Sequence, residues 1–207
     1  MKNLMEFYAD YEKIISIVEA GSRVLDLGCG SGELLYRLMV EKNVRGRGVE
    51  IDEKSIIECI TKGLSVFQGN IDEGLAEYKD KSYDYVILNK TLQVTYKPKF
   101  VVKEMLRVGK KVIVCFPNFA YWRTRGQLFF YGRMPKIPTL PFEWYDTPNI
   151  RLLTVSDFMR FCKKQNIKVL DKYYINEYRR NYLAQVWPNM FASAGLFVLS
   201  DNGRQGR

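Results

Sequence analysis

The chain contains no histidine. That absence removes the Ser-His-Asp triad, the His-Cys zinc finger and every imidazole general base. Cysteine is sparse: Cys29, Cys59, Cys115 and Cys162 stand thirty or more residues apart, and no C-x-x-C pair occurs. A zinc ribbon or thioredoxin-type dithiol is not expected, nor any metal site. The thiols, set in apolar or helical runs, read as reduced side chains. No apolar run reaches the ~18 residues that span a bilayer. The opening stretch MKNLMEFYADYEKII also lacks the apolar core of a secretory signal. The expectation is a cytoplasmic protein with no membrane partner.

What is present is an ordinary globular make-up of 207 residues, 47% hydrophobic and 27% charged. A chain of that length buries roughly two-thirds of its unfolded surface without disulfides or metal. The net charge of +9 is uneven: residues 1–104 carry 15 Lys and Arg against 17 Asp and Glu, whereas residues 105–207 carry 17 against 6. A basic half suits an acidic partner, or serves only as a solvated surface. With no Lys/Arg block in the sequence, nucleic acid ranks low among the partners.

Between residues 22 and 116, β-rich runs alternate with helical patterns. RVLDL (23–27), GRGVEI (46–51), LSVFQ (64–68), YVIL (85–88) and KVIVCF (111–116) read as strands, with helices at 33–41, 53–61 and 98–108. This is the grammar of βαβ units and a parallel sheet covered on both faces. After Pro117 come 118–151, rich in aromatics, arginine and proline, which read as an insertion that starts with a short helix. Thr154 caps a further helix, and 167–173 and 195–199 form a final antiparallel hairpin at the sheet edge. The expected layout is one domain over 1–200, with residues 201–207 as a disordered tail.

The chemistry concentrates in Asp26-Leu27-Gly28-Cys29-Gly30-Ser31-Gly32, between the first strand and the first helix. Glycines there let backbone approach a ligand closely, and the helix start aims amide N–H groups into the cleft. The spacing is G-x-G-x-G, not the G-x-G-x-x-G of a dinucleotide site. Asp26 would repel a pyrophosphate but suits a cationic ligand group, which points to S-adenosylmethionine rather than a nicotinamide. Glu50 follows 20 residues after Gly30, at the end of the second strand, where a carboxylate can accept both ribose hydroxyls. Ile51 lies beside it. Asp52 reads as a helix cap. Asn70 and Ile71, after the third strand, are open to two readings, an adenine contact or a turn. Asn89, with Gln93, ends the fourth strand, facing where a transferred group would lie.

Arg23–Glu33, Gly48–Asp52 and Asp84–Leu88 resemble the class I S-adenosylmethionine-dependent methyltransferases. The closer resemblance is to the MetW family of methionine-biosynthesis proteins. It is carried by Phe116-Pro117-Asn118-Phe119, Gly132-Arg133-Met134-Pro135, residues 140–150 (LPFEWYDTPNI) and Trp187-Pro188-Asn189, and runs over residues 20–199. It implies a Rossmann-like, mostly parallel seven-stranded sheet with an antiparallel C-terminal edge and helices on both faces. The cofactor it implies is S-adenosylmethionine, held by Asp26, Gly28, Cys29, Gly30, Gly32, Glu50, Ile51, Asn70, Ile71 and Asn89. The partner it implies is homoserine O-acyltransferase. Two positions depart from the pattern: Asn70 stands where an acidic residue is usual, and Arg151 where histidine is expected. No catalytic residue is assigned; Glu143, Tyr145 and Asp146 are candidate bases. The alternative to a binding protein is an active methyltransferase on a small molecule, and less so on RNA.

Overall fold

A period of two with apolar residues on both faces makes a strand that must be covered twice, and the central strands have that pattern. In the computed structural model, which describes residues 9–176 and 182–203, β1 (Arg23–Leu27), β4 (Tyr83–Asn89) and β5 (Gly109–Pro117) lie side by side. Tyr85, Ile87, Ile113 and Cys115 face one layer of helices, while Val86, Leu88, Val112 and Val114 face the other. β2 (Arg45–Glu50) and β3 (Val66–Gln68) extend the parallel part beyond β1. On the opposite side, β7 (Ala194–Asp201) pairs antiparallel with β5, and β6 (Ile167–Ile175) pairs antiparallel with β7. The order is β3-β2-β1-β4-β5-β7-β6, the seven-stranded sheet with the expected antiparallel edge.

The helices divide between the faces. α1 (Ala9–Ile17) and α2 (Glu33–Lys42) cover one with Ile14, Leu34, Leu35 and Leu38. α4 (Pro98–Val108) and α6 (Val155–Lys164) cover the other with Val101, Met105 and Phe158. α3 (Glu53–Thr61) follows β2, its N-terminus capped by Asp52, which accepts from the Ser55 N–H at 2.9 Å. Thr154 caps α6 as expected, accepting from the Asp157 N–H at 3.1 Å. Phe116, Phe158 and Phe197 meet with ring centroids 4.8 to 5.7 Å apart, and each such pair contributes ~1 kcal/mol beyond area burial.

Two features go beyond the sequence reading. The sequence reading contains no helix at α1, although Ala9, Tyr11, Ile14, Ile15 and Ile17 are apolar. Two short helices, α7 (Tyr182–Val186) and α8 (Pro188–Phe191), precede β7. The insertion begins with α5 (Trp122–Tyr131), closed by Gly132, and continues irregularly through its prolines. Asp201 belongs to β7, opposite Ile167; of the expected tail, residues 204–207 lie outside the described residues. All four cysteines are free thiols.

Parallel strands leave β1 towards β2 on one side and β4 on the other. The C-terminal ends of these strands therefore open a crevice where the strand order reverses, the usual ligand position in open α/β sheets.

Candidate functional site

The crevice is lined first by the bend after β1. Gly28 and Cys29 both donate their N–H groups to the Val49 carbonyl, at 2.8 and 3.2 Å, which locks the bend onto β2. Gly28 has φ +64 and Gly32 has φ +75, left-handed values that glycine alone adopts cheaply. A Cβ on Gly28 would stand 2.5 Å from Thr91 Cγ2, and one on Gly32 would strike the Leu64 methyl and come 2.8 Å from Cys59 Sγ. The bend is thus closed behind by packed side chains, while residues 28–31 stay half-exposed on the ligand side.

Glu50 ends β2 and reaches back to the bend. Its Oε2 accepts from the Gly30 N–H at 2.8 Å; its Oε1 accepts from the Ile51 and Asp52 N–H groups at 2.7 and 3.0 Å. A carboxylate offers about four lone-pair directions, so three backbone donors hold Glu50 in place and one direction remains. Ile51 is 62% exposed beside it, an apolar wall at the rim of the crevice.

Asp26 is 2% exposed at the end of β1. Burial, then the negative charge of Glu50, pushes its pKa up to about 7. No cation offsets these effects among the described residues. A buried carboxylate of this kind is stabilised by whatever positive group can be brought beside it.

Asn89 ends β4. Its amide nitrogen donates to Asp10 Oδ2 at 2.8 Å, while its oxygen is buried without a partner. Asp10, on α1 and 3% exposed, also pairs with Lys90 at 3.0 Å. Lys90 has φ +54, a strained value for a lysine at the mouth of a ligand crevice. Gln93 is buried too; it donates to the Lys90 carbonyl at 2.6 Å and leaves its own oxygen unpartnered. The β4 end therefore presents two buried acceptor oxygens, those of Asn89 and Gln93.

Asn70 takes the turn role. Its oxygen accepts from the Asp72 N–H at 3.0 Å and its nitrogen donates to Glu73 at 3.1 Å. Ile71 opens the following 3-10 turn and packs on the core. Cys29 lies with Sγ 3.9 Å from Cys59 Sγ, and the Cys59 thiol donates to the Gly30 carbonyl at 3.2 Å. Burial holds both thiols protonated.

Three residues that the sequence reading did not place in a role turn out to hold the crevice. Besides Asp10, Asp72 accepts from the Tyr96 and Lys97 N–H groups at 2.9 and 2.6 Å, fixing the loop after β4. Asn118, fully buried, donates to the carbonyls of Ala192, Asn189 and Pro188 at 2.8, 3.2 and 3.4 Å and accepts from the Ala120 and Val155 N–H groups. The N–H groups that Asp72 holds lie 24 and 25 residues along the chain, beyond any local capping pattern. Asp10 reaches Asn89, 79 residues away, and the Asn118 amide reaches carbonyls 70 to 74 residues away, contacts that leave no local signal.

The candidate bases stand apart from this cluster. Glu143, Tyr145 and Asp146 are exposed, and Glu143 is paired with Lys136 at 2.7 Å. Arg151 donates through its guanidinium to the Tyr96 carbonyl at 2.8 Å, and its N–H and that of Ile150 both reach the Gln93 carbonyl. It straps the end of the insertion to the β4 loop. A cleft of about 660 Å³, floored by Leu92, Val102 and Phe158, lies on the α4–α6 face of the sheet rather than at the bend.

The family model for the methionine biosynthesis protein MetW matches residues 8–199. The chain belongs to the MetW family. A bifunctional methionine biosynthesis protein MetXA/MetW from Rhodopirellula baltica is 37% identical over 169 residues, which cover 77% of this chain and 27% of that protein. The chain therefore spans little more than a quarter of the length of that relative. Among solved structures, a chain from the complex of the Haloferax volcanii Trm112 methyltransferase activator superposes with a TM-score of 0.72 at 16% identity, covering 98% of this chain and 92% of its own. An S-adenosylmethionine-dependent methyltransferase from Archaeoglobus fulgidus gives 0.67 at 16% identity, covering 96% and 94%. This chain thus has the class I methyltransferase fold. The segments that carry the family resemblance are in large part structural: Asn118 of FPNF binds the backbone of the WPN segment, whose Asn189 in turn accepts from the Ser156 N–H at 3.1 Å.

No helix among the described residues is long and apolar enough to cross a membrane, and no group of three or more metal-ligating side chains occurs among them.

Proposed function

We propose that this chain binds S-adenosylmethionine at the β1–β4 crevice and acts in methionine biosynthesis together with a homoserine O-acyltransferase, as a cytoplasmic regulatory partner. The observation that carries the reading is the placement of two acids around the glycine bend. Asp26 is a buried carboxylate that lacks a cation, and Glu50 is a carboxylate locked in position with a lone-pair direction left. A ligand with an ammonium group and a ribose diol complements both. The unpartnered Asn89 oxygen adds a second acceptor for the ammonium. Ile51 supplies an apolar wall for an adenine, and Cys29, Gly28, Gly30 and Gly32 supply the close backbone. Asn70 and Ile71 flank the adenine edge, where the Asn70 oxygen has one lone pair beyond the turn it caps. The partner half rests on family membership and on the relative in which MetXA and MetW share one chain.

The test is calorimetry with S-adenosylmethionine on the wild type and on Asp26→Asn, paired with acyltransferase assays with and without this chain. Micromolar binding that Asp26→Asn weakens at least tenfold, together with a change in acyltransferase rate, supports the reading. Absence of binding by the wild type sinks it.

The buried, unpartnered Gln93 oxygen favours a second reading, that of an active methyltransferase on a small molecule with a hydrogen-bond donor beside its acceptor atom. Release of S-adenosylhomocysteine from a pool of metabolites, abolished by Gln93→Leu, would select it.

A further inference from the structure

We propose that the outward face of α5 and the loop that follows it is the docking surface for the acyltransferase partner, and that the face it meets on that partner is apolar and bordered by carboxylates. The inference rests on the partner half of the proposed function and places it on the molecule.

The segment is built to be rigid. Beneath it, Tyr121, Ile137 and Leu140 form a small buried cluster with Phe119 packed against it. Gln127 on α5 exchanges two hydrogen bonds with the Lys136 backbone, at 2.8 and 3.2 Å, and the Lys136 ammonium pairs with Glu143. The helix, the loop and the Trp144 region are thereby tied together. A satellite core accounts for only part of the aromatic content. Phe129 is 82% exposed, Phe130 77%, Tyr131 74% and Trp144 71%. Phe129 and Phe130 stand edge to face at 5.1 Å, and Trp144 and Tyr145 at 5.6 Å. Ordered, exposed rings beside arginines have the make-up of the energetic centre of a protein interface.

Charge selects the occupant. Arg125 and Arg133 are exposed on the same segment, within the half of the chain that carries 17 basic against 6 acidic residues, while Lys136 is already paired with Glu143. A second copy placed on this face would bring like charges together, whereas a carboxylate-bordered face would neutralise them. The MetXA/MetW relative shows that a domain of this family can share a chain with MetXA, an arrangement in which a modest docking surface suffices because the effective concentration is high. The end of the segment is wired to the crevice through Ile150 and Arg151, both bonded to the Gln93 carbonyl. A partner seated here touches the element that frames the β4 end.

The experiment uses the full chain and the purified homoserine O-acyltransferase, with Phe129→Ala/Phe130→Ala/Trp144→Ala, Arg133→Glu, and Ile57→Ala/Ile60→Ala as an exposed apolar control on α3. The triple ring variant is expected to weaken association at least 100-fold and Arg133→Glu about tenfold, with the control unchanged and S-adenosylmethionine binding intact in all. Association unaffected by the ring variant, or lost equally in the control, overturns the proposal. Self-association of the wild type that disappears in the ring variant overturns it in favour of a second copy. If the wild type binds S-adenosylmethionine but not the acyltransferase, the partner reading falls and this proposal with it, leaving the cofactor reading in place.

Discussion

Gly30 and Glu50 are joined by a single 2.8 Å hydrogen bond from the glycine N–H to the carboxylate. The bond ties the bend after β1 to the end of β2, and it holds the negative charge of Glu50 close enough to Asp26 to raise the Asp26 pKa further. The two acids are thus coupled: the arrangement that orients one for a diol disfavours ionisation of the other until a cation arrives. The following expectations test that coupling and the scaffold around it.

Affinity for S-adenosylmethionine should depend on pH through Asp26. With a pKa of about 7 in the free protein, the carboxylate is mostly neutral at pH 6 and mostly ionised at pH 8. Calorimetry should show roughly fivefold tighter binding at pH 7 than at pH 6, below the range where the ligand's own α-ammonium loses its proton, and Asp26→Asn should flatten the profile. A wild type with no slope would remove Asp26 from the ammonium contact.

The same residue should cost stability in the ligand-free protein. Its folded pKa lies above the ordinary value of 3.8, so the folded state holds the extra proton between the two values. The contribution of Asp26 to stability is complete below pH ~4 and is lost as pH rises through ~7. Asp26→Asn should therefore unfold at higher urea than the wild type at pH 8, by at most about 4 kcal/mol, while binding the ligand worse. Equal midpoints at pH 8 would show that the burial cost is relieved in some other way.

Gly32→Ala should lose about 2–4 kcal/mol, since it forces a side chain into a left-handed conformation and against Leu64 and Cys59 at once. Thermal unfolding followed by circular dichroism reads this directly. A drop of under a degree would mean that the bend relaxes more easily than its packing implies.

Asn118→Ala should cost about 2–4 kcal/mol, because it takes the amide donor from the buried Ala192 carbonyl and the acceptor from the N–H groups of Ala120 and Val155. Asn118→Asp should not rescue it, since the lost groups include the donor. Hydrogen exchange should speed up at residues 190–192 in both variants, and unchanged protection there would argue against the staple.

Much of the fold was open to a reader of the chain alone. Runs such as YVIL and VIVCF are apolar at every position, which only strands covered on both faces tolerate, and 53–61 and 98–108 were bounded to the residue by Asp52 and Pro98. The glycine bend and Glu50 were visible because close backbone approach and a strand-end acid need particular residue types at a particular spacing. Local chemistry of that sort is written in neighbouring letters. The turn capping by Asn70, through Asp72 and Glu73, is local in the same way; the roles of Asp10 and Asn118 and the outward aim of Phe129 and Phe130 are not. Each depends on which distant backbone or side chain the folded chain brings within about 3 Å, or on which side of a helix finds nothing to pack against. Those are properties of packing in three dimensions, where a buried amide becomes a staple and an unburied ring becomes a surface.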